Sequence, residues 1–271
     1  MSVDTLAGST PDLARRERTQ RYVQHLMGMP VSLAMRGRHA ADRRGRQAWA
    51  DTLASLRATD RLFSTYRPDS FLSSMIRGEK GTDQLPAAVA EVFALGHRAE
   101  RESGGAFAIR RPGPTGEIVL DADGVVKGWA VERAADHLLA LDATDFCLSA
   151  GGDMTCRTLD PDATPWRIGI ENPFDTRTLI AVVPVHTGAV ATSGTAHRGN
   201  HLVDARTGEP PAGVASVTVI ADTLTWADID ATAAYAMGEH AADWLATRPG
   251  RSYLVVWADG TTSRAATAVD R

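Results

Sequence analysis

The segment TWADIDATAAYAMGEH, residues 225–240, places a carboxylate and a hydroxyl at helical spacing. Asp228 and Thr232 are four residues apart, so a helix starting near Trp226 carries both on one face. Oxygen ligands of this kind suit Mg²⁺, which usually takes waters and substrate phosphates as its other ligands. Near a helix start, however, an Asp also complements the positive helix end and a Thr bonds back to the preceding turn. Spacing alone leaves both interpretations open, and it predicts that Asp230 is solvated.

Glycine-containing turns offer backbone groups that can approach a ligand. Lys127 lies between Gly124 and Gly128 in DADGVVKGWA, at a predicted junction of loop and helix where a phosphate can bind. SAGGDM and ATSG each end a predicted strand with glycine, and ATSG adds the hydroxyls of Thr192 and Ser193. The sequence has neither GxxxxGK[ST] nor GxGxxG, so each stretch taken alone is also compatible with an ordinary turn.

The stretch GNHLVDARTG combines an imidazole and a carboxylate. His201 precedes Asp204 by three residues, and we predict a strand over HLVDA. A histidine can act as a base near neutral pH, and a nearby aspartate can orient it or hold a metal. A histidine in a strand is more often structural, so this pair alone does not identify a catalytic site.

The elements that must position these residues are helices and strands in mixed order. Helical periodicity is found over residues 39–61, from Pro86 and from Val125, whereas FSTYRPDSFLSSMIRGE is predicted to be irregular. Two strands broken at Gly28 and Pro30 open the folded part, and a strand-rich second half ends with two helices and one more strand. The strands of the second half are predicted at FCLSAGG, WRIGIENP, TLIAVVPV, AVATSG, HLVDA, SVTVIA and SYLVVWADG.

This order lacks the strict βαβ rhythm of a doubly wound sheet, so the predicted fold class is α+β. Residues 1–19 are polar and aperiodic and are predicted to be a flexible tail. Residues 20–271 contain no evident linker or repeat and are predicted to form a single domain.

Composition excludes several classes of protein. A net charge of −4, from 29 basic and 33 acidic residues, gives no electrostatic reason to expect nucleic acid or an anionic membrane as partner. Cys147 and Cys156 match no metal spacing and are expected to be partly buried free thiols. The N-terminus lacks an apolar signal region, and no apolar run approaches the roughly 20 residues that span a bilayer. We therefore expect a cytoplasmic protein.

The joint order of the motifs is more specific than any one of them. In sequence they resemble the FAD:protein FMN transferase family, called ApbE, over roughly residues 21 to 260. The fold that the resemblance implies is a mixed α/β sandwich, related to the T-fold, with a predominantly antiparallel sheet and packed helices. The motifs that carry the resemblance are MG, STYRPDS, GGAF, DGVVKGWAVERAA, SAGGD, WRIGIENP, VATSG, HLVDARTG and SVTVIADTLTWADIDATA.

The resemblance implies roles for individual residues. A Mg²⁺ ion is expected on Asp228, Thr232 and the main-chain carbonyl of Gly124. His201 is the expected catalytic residue, followed by Asp204. The residues expected to contact FAD are Met27, Tyr66, Ala106, Phe107, Lys127, Thr192, Ser193 and Leu202.

The activity that the resemblance implies is transfer of FMN from FAD to a Ser or Thr hydroxyl of an acceptor protein, with AMP as the leaving group. The sequence departs from the family pattern at Ala108, where an Asp is usual, and in the short segment between GGAF and DGVVKG. This departure leaves open the alternative of FAD binding without transfer. Because water could replace the acceptor hydroxyl, hydrolysis of FAD to FMN and AMP also stays open.

Overall fold

An antiparallel sheet of eight strands runs through the computed structural model, which describes residues 18–83, 85–113, 115, 117–196 and 202–266. In chain order the strands are β1 (Gln20–Leu26), β2 (Met29–Gly37), β3 (Arg110–Pro112), β4 (Ile118–Leu120), β5 (Thr144–Ala150), β6 (Asp153–Arg157), β7 (Trp166–Asn172), β8 (Asp175–Val185), β9 (Gly188–Gly194), β10 (Val214–Ala221), β11 (Ser252–Trp257) and β12 (Thr262–Ala265). The α-helices are α1 (Arg43–Phe63), α2 (Phe71–Ile76), α3 (Ala87–Glu102), α4 (Asp123–Leu139), α5 (Leu224–Ala236) and α6 (Ala241–Ala246).

The large sheet has the strand order β1-β2-β5-β6-β9-β10-β11-β12, and every neighbouring pair is antiparallel. Strands β3 and β4 form one separate hairpin, and β7 and β8 form another. Helices and antiparallel strands are thus combined without a parallel βαβ unit in the described residues, which confirms the predicted α+β class.

Different elements cover the two faces of this sheet. Along β9, Ala189 and Ala191 belong to the main core, which includes the helices, whereas Val190 belongs to a smaller core. Trp166 and Ile168 of the β7–β8 hairpin complete that smaller core. Since successive side chains of a strand point to opposite faces, the helices lie on one face and the hairpin on the other.

Helix α5 is buried on nearly all sides, between α4 and strands β9 and β10. Its small residues Ala227, Ala231 and Ala234 are fully buried, which allows neighbouring backbones to come close. On α4, a Cβ at Gly128 would lie only 2.7 Å from the Leu224 carbonyl oxygen of α5, so this contact requires glycine. The packing of α4 against α5 therefore depends on residues with little or no side chain.

Most of the predicted elements are present. The two N-terminal strands form the β1–β2 hairpin, which turns at Met27 and Gly28, both with positive φ. The helical periodicities correspond to α1, α3 and α4. Cys147 and Cys156 are free thiols, the first half-buried and the second buried, as expected. Within the described residues, none of the helices combines the length and apolar character needed to cross a bilayer.

Two local predictions are wrong. The stretch expected to be irregular contains α2, because Ser70 provides an N-cap whose Oγ accepts from the Ser73 N–H at 2.9 Å. The expected strand HLVDA is not a strand over its described residues 202–205. Instead the Asp204 N–H donates to the Glu209 carbonyl at 2.9 Å, which closes a loop. Residues 1–17, in the predicted tail, lie outside the described part of the chain.

Candidate active site

A buried group of three charged side chains lies where α4, α5 and the β5–β6 turn meet. The Lys127 Nζ atom is 2.5 Å from Asp153 Oδ2 and 3.3 Å from Asp228 Oδ1. Both carboxylate side chains are 2% exposed, whereas that of Lys127 is 23% exposed. One ammonium faces two carboxylates, so the group carries an excess negative charge when both are ionised. Lys127 is therefore the most exposed member of the group.

Backbone N–H groups hold both carboxylates in place. The Gly128 N–H donates to Asp228 Oδ2 at 2.9 Å, and the Thr192 N–H donates to Asp153 Oδ1 at 3.0 Å. In a regular helix the Gly128 N–H points at the carbonyl of Gly124, four residues earlier. Its donation to Asp228 is possible because α5 approaches α4 closely at this glycine. Each carboxylate therefore has one oxygen fixed by backbone and the other directed at Lys127.

The surroundings change the proton affinity of two members of this group. Burial, opposed by the Lys127 ammonium and assisted by the Asp153 carboxylate, raises the pKa of Asp228 to about 7. Burial by itself would lower the pKa of Lys127, but the carboxylates of Asp153 and Asp228 raise it above its ordinary value. Lys127 is therefore charged at neutral pH, whereas Asp228 takes up a proton readily.

Neutral oxygen atoms lie beside Asp228. Thr232 Oγ1, one turn further along α5, is 3.1 Å from Ser193 Oγ of β9. A Cβ at Gly124 would lie 3.4 Å from Thr232 Cγ2, so the start of α4 adjoins this hydroxyl pair. Gly124, Asp228 and Thr232, the residues expected to bind Mg²⁺, are thus brought together.

The oxygen donors in this region suit a hard divalent cation. Among the described residues, no group of three or more His, Cys, Asp and Glu side chains could hold a metal by itself. The protein instead offers one carboxylate, hydroxyls and a carbonyl, a donor set that leaves positions for water and phosphate oxygens. Mg²⁺ in enzymes that act on phosphates is commonly bound in this way. The residues present therefore fit the expected ion.

Ala106 and Phe107 connect the region to the loop that follows the expected catalytic histidine. The Ala205 N–H donates to the Ala106 carbonyl at 3.0 Å. Phe107 is buried, and a Cβ at Gly124 would lie 2.8 Å from its Cε2 atom. Leu202 is half-buried against the main core. GGAF, DGVVKG and the described part of HLVDARTG are therefore neighbours in the fold.

Met27 and Tyr66 are placed differently from each other. Met27 is half-buried in the β1–β2 turn, which lies at the same end of the sheet as the β5–β6 turn, because the Gly151 N–H donates to the Pro30 carbonyl at 3.1 Å. Asp153 follows that second turn directly. Tyr66 lies between α1 and α2 and is 94% exposed. The structure thus places Met27 at the end of the sheet where Asp153 lies and leaves Tyr66 exposed.

Thr192 and Ser193 present their side chains to opposite faces of the sheet. Ser193 faces α5, as its contact with Thr232 shows. The Thr192 hydroxyl is 2.9 Å from that of Thr218, its cross-strand partner on β10. Of Thr192, only the backbone N–H contributes to the buried group, through its bond to Asp153.

The expected catalytic pair is described in part. His201 lies outside the described residues. Asp204 is 2.6 Å from Arg206 Nη2. Although burial would raise it, this guanidinium holds the pKa of Asp204 below its usual range. Asp204 is therefore ionised and paired with a cation in a loop that contacts Ala106.

Two other aspartates differ from what the sequence suggested. Asp153 had no role in the sequence analysis, although an acidic residue placed directly after two glycines at a strand end could have been a signal for one. Asp230 was expected to be solvated, and this is wrong, because it is fully buried. Arg248 Nη2 at 3.0 Å and Arg251 Nε at 2.6 Å pair with its carboxylate. These arginines follow α5 in the chain, so helical periodicity could not reveal them.

Comparisons with known proteins agree on one family. A profile described as "ApbE family" matches residues 111–255, which is more than half of the chain and contains the buried charged group. The FAD:protein FMN transferase of Vibrio cholerae is 34% identical over 133 residues, which cover 45% of this chain and 40% of that protein. The Haemophilus influenzae protein of the same name is 29% identical over 155 residues, which cover 53% of this chain and 45% of that protein. The matched part is thus less than half the length of each relative.

Solved structures resemble the chain over nearly its whole length. The ApbE protein of Thermotoga maritima superposes with a TM-score of 0.78 at 20% identity, covering 92% of this chain and 97% of that one. The flavin transferase ApbE of Vibrio cholerae superposes with a TM-score of 0.76 at 21% identity, covering 93% of this chain and 98% of that one. At these identities the likeness establishes the fold, which agrees with the fold implied by the motifs.

Proposed function

Because the chain belongs to the ApbE family, we propose that it transfers FMN from FAD to a Ser or Thr hydroxyl of an acceptor protein and releases AMP. The observation that carries the proposal is that two buried carboxylates, those of Asp153 and Asp228, share the single ammonium of Lys127. This group lies beside the hydroxyls of Ser193 and Thr232. A buried carboxylate without a full counter-charge is costly unless a cation completes it. The names of the curated relatives, FAD:protein FMN transferase, agree with this interpretation.

We assign a Mg²⁺ ion to Asp228, Thr232 and the carbonyl of Gly124. When bound, such an ion offsets the charge of the FAD pyrophosphate and stabilises AMP as it leaves. Lys127 supports this assignment, because its side chain is partly exposed and its ammonium can pair with a phosphate oxygen. Asp153 keeps that ammonium at the site through its 2.5 Å ion pair.

The proposed reaction is a substitution at the phosphorus atom next to riboflavin. The acceptor hydroxyl oxygen forms a bond to this phosphorus while the bond to the AMP oxygen breaks. We propose that His201 accepts the hydroxyl proton, a role that suits an imidazole near neutral pH. Asp204, held ionised by Arg206, would orient that histidine. The flavin is proposed to contact Met27, Phe107 and the neighbouring parts of the site.

The test is incubation of the protein with FAD, Mg²⁺ and candidate acceptor proteins. We expect covalent flavin on the acceptor, seen by in-gel fluorescence and located by mass spectrometry, together with an equal amount of AMP. His201→Ala should lose labelling but retain FAD binding. AMP release without an acceptor would instead indicate hydrolysis of FAD. Tight FAD binding with neither product would show that the chain only binds the flavin.

The cellular location of the reaction and the partners of the protein stay predictions. We propose a cytoplasmic acceptor and expect neither nucleic acid nor membrane as partner. Cell fractionation followed by fluorescence detection of flavin-labelled proteins tests both points. Recovery of the labelled acceptor from a membrane or secreted fraction would contradict the proposed location. Residues 20–271 are proposed to act as a single domain, which limited proteolysis would check.

A further inference from the structure

Helices α4 and α5 touch at three levels that are about one turn apart. Gly124 of α4 adjoins Thr232 of α5, and the Gly128 N–H donates to Asp228. At the third level, Glu132 Oε2 accepts from the Thr225 N–H at 2.8 Å and from the Thr225 hydroxyl at 2.6 Å. From the first level to the third, the residue numbers increase along α4 and decrease along α5, so the two helices run antiparallel. Two of the three levels contain the proposed metal ligands, and the third contains Glu132.

The hydrogen bonds to Glu132 provide a partner for a backbone N–H group at the start of α5. The first N–H groups of a helix have no partner within the helix, and a side chain at the N-cap usually supplies one. Here the N-cap residue, Thr223, makes no side-chain capping bond. The Glu132 carboxylate, which belongs to another helix, accepts from the Thr225 N–H instead. A carboxylate is also the charge that the positive end of a helix favours.

Glu132 therefore fixes how far α5 is displaced along α4. Consecutive residues of a helix are displaced by about 1.5 Å along its axis. A slip of one residue would break both the Glu132–Thr225 bonds and the 2.9 Å bond from Gly128 to Asp228. The Cβ atom missing at Gly128 permits the close approach but does not select the register. Glu132 provides a directional contact that does, in addition to the hydrogen bond from Gly128 to Asp228.

We propose that Glu132 is a positioning residue for the metal site, which holds Asp228 and Thr232 in register with Gly124 by capping α5 from α4. The proposal deepens the proposed function, because it concerns the residues assigned there to Mg²⁺. The two hydrogen bonds that Glu132 accepts come from Thr225, which is not a proposed metal ligand. Its effect is transmitted through Thr225, one turn before Asp228. Residues that orient metal ligands in this indirect way typically change metal affinity by about 10–100-fold when they are replaced.

The chain offers a matched control on the other side of α4. Glu91 of α3 accepts from Trp129 Nε1 and from Arg133 Nη1, both at 3.0 Å. Glu91→Ala thus removes a carboxylate that is bonded to α4 but has no such bond to α5. If Glu132 were important only for general stability, the two alanine variants would have similar effects on Mg²⁺.

The test is isothermal titration of Mg²⁺ into wild type, Glu132→Ala and Glu91→Ala, with urea unfolding of each. We expect Glu132→Ala to weaken Mg²⁺ binding about tenfold, and Glu91→Ala to change it less than twofold. Glu132→Gln, whose amide oxygen can still accept from Thr225, should fall between wild type and the alanine variant. If Glu132→Ala does not fold, Glu132→Gln takes its place in the Mg²⁺ titration. In the transfer assay, the Mg²⁺ concentration for half-maximal AMP release should rise, while kcat at saturating Mg²⁺ recovers.

A second measurement separates this proposal from the proposed function. Amide hydrogen exchange of metal-free protein should speed up over residues 225–228 in Glu132→Ala but not in Glu91→Ala. If Glu132→Ala binds Mg²⁺ with the affinity of wild type, the positioning role is overturned and the proposed function stays intact. Absence of Mg²⁺ binding by wild type would overturn the metal assignment. Exchange that is unaltered in Glu132→Ala would show that Glu132 does not hold α5.

Discussion

Asp228 and Asp230 lie two residues apart on α5, and both are almost completely buried, yet their surroundings differ in charge. Asp230 faces two guanidinium groups, those of Arg248 and Arg251. Asp228 shares a single ammonium, that of Lys127, with Asp153. A buried carboxylate is stable when it is paired, so the first arrangement is complete and the second is not. This deficit distinguishes a candidate cation site from a structural ion pair.

The neighbours of the two aspartates support the same distinction. Arg248 also pairs with Glu102 of α3 at 2.7 Å and lies over the rings of Trp226 and Trp244. These contacts tie α5 to α3 and α6 and leave little freedom for a ligand. Asp228 is instead bordered by hydroxyls and by a lysine whose side chain is partly exposed. We infer that Asp230 holds α5 in place, whereas Asp228 is the aspartate of this helix proposed to bind the metal.

The largest expected effect is on turnover. Asp228→Asn should abolish measurable Mg²⁺ binding and lower FMN transfer at least about 1,000-fold, since removal of an electrostatic contributor commonly has effects of this size. The free energy of unfolding should change by less than about 2 kcal/mol, because the substitution removes a buried charge that is not fully compensated. Titration calorimetry, AMP release and urea unfolding measure the three quantities. Wild-type transfer rates in this variant would disprove the metal assignment.

Asp230→Asn should behave in the opposite way. Removing the carboxylate takes away the counter-charge of Arg251 and leaves Arg248 paired with Glu102 alone. This loss should lower the free energy of unfolding by about 3–5 kcal/mol. In protein that remains folded, Mg²⁺ affinity should stay within a fewfold of wild type. Urea unfolding and titration calorimetry at a temperature well below the unfolding midpoint test this. A stable variant that has lost Mg²⁺ binding would reverse the roles assigned to the two aspartates.

The pH dependence of Mg²⁺ binding should reflect the raised pKa of Asp228, which is about 7. The metal competes with the proton on this carboxylate, so affinity should fall about tenfold for each pH unit below the pKa and level off above it. Titrations at about pH 5.5, about pH 6.5 and about pH 8, which lie below, near and above this pKa, should show the trend. Proton release, seen as a dependence on buffer ionisation enthalpy, should accompany binding near neutrality. Affinity independent of pH would place the metal elsewhere.

The raised pKa of Asp228 also makes the stability of the metal-free protein depend on pH. Because the pKa of Asp228 is higher in the folded state than the ordinary value of 3.8, the folded protein holds a proton that the unfolded chain has released. This contribution to stability is present below about pH 4 and is lost as the pH rises towards about 7. Added Mg²⁺ should offset the loss. Thermal unfolding with and without Mg²⁺ across this range measures it, and Asp228→Asn is the control that should not respond.

The smallest expected effect concerns the hydroxyls beside Asp228. Ser193→Ala removes the partner of the Thr232 hydroxyl and should weaken Mg²⁺ binding about threefold to tenfold, the range that corresponds to one neutral hydrogen bond. Thr192→Ala is the matched control, because that side chain lies on the other face of the sheet. Equal effects of the two substitutions on Mg²⁺ affinity would contradict the proposed arrangement of ligands.

Much of the fold and part of the candidate site follow from local sequence. Alternating and helical periodicities identified the β1–β2 hairpin, α1, α3 and α4, because these patterns reflect which side of each element is buried. The spacing of Asp228 and Thr232 placed both on one side of α5 for the same reason. Short capping signals were less informative, and α2 was missed although Ser70 caps it.

What the tertiary structure decided is which charges meet. Lys127, Asp153 and Asp228 come from three separate segments, and nothing in the pattern of one segment reveals the charge of another. For this reason Asp230 seemed solvated in the sequence, whereas arginines that follow α5 bury and neutralise it. Electrostatic energy depends on distance through space, while periodicity records only neighbours along the chain. The sequence by itself determined where α5 forms and which of its residues share a side, and only the packing of α5 against α4 and the sheet decided which aspartate lacks a full counter-charge.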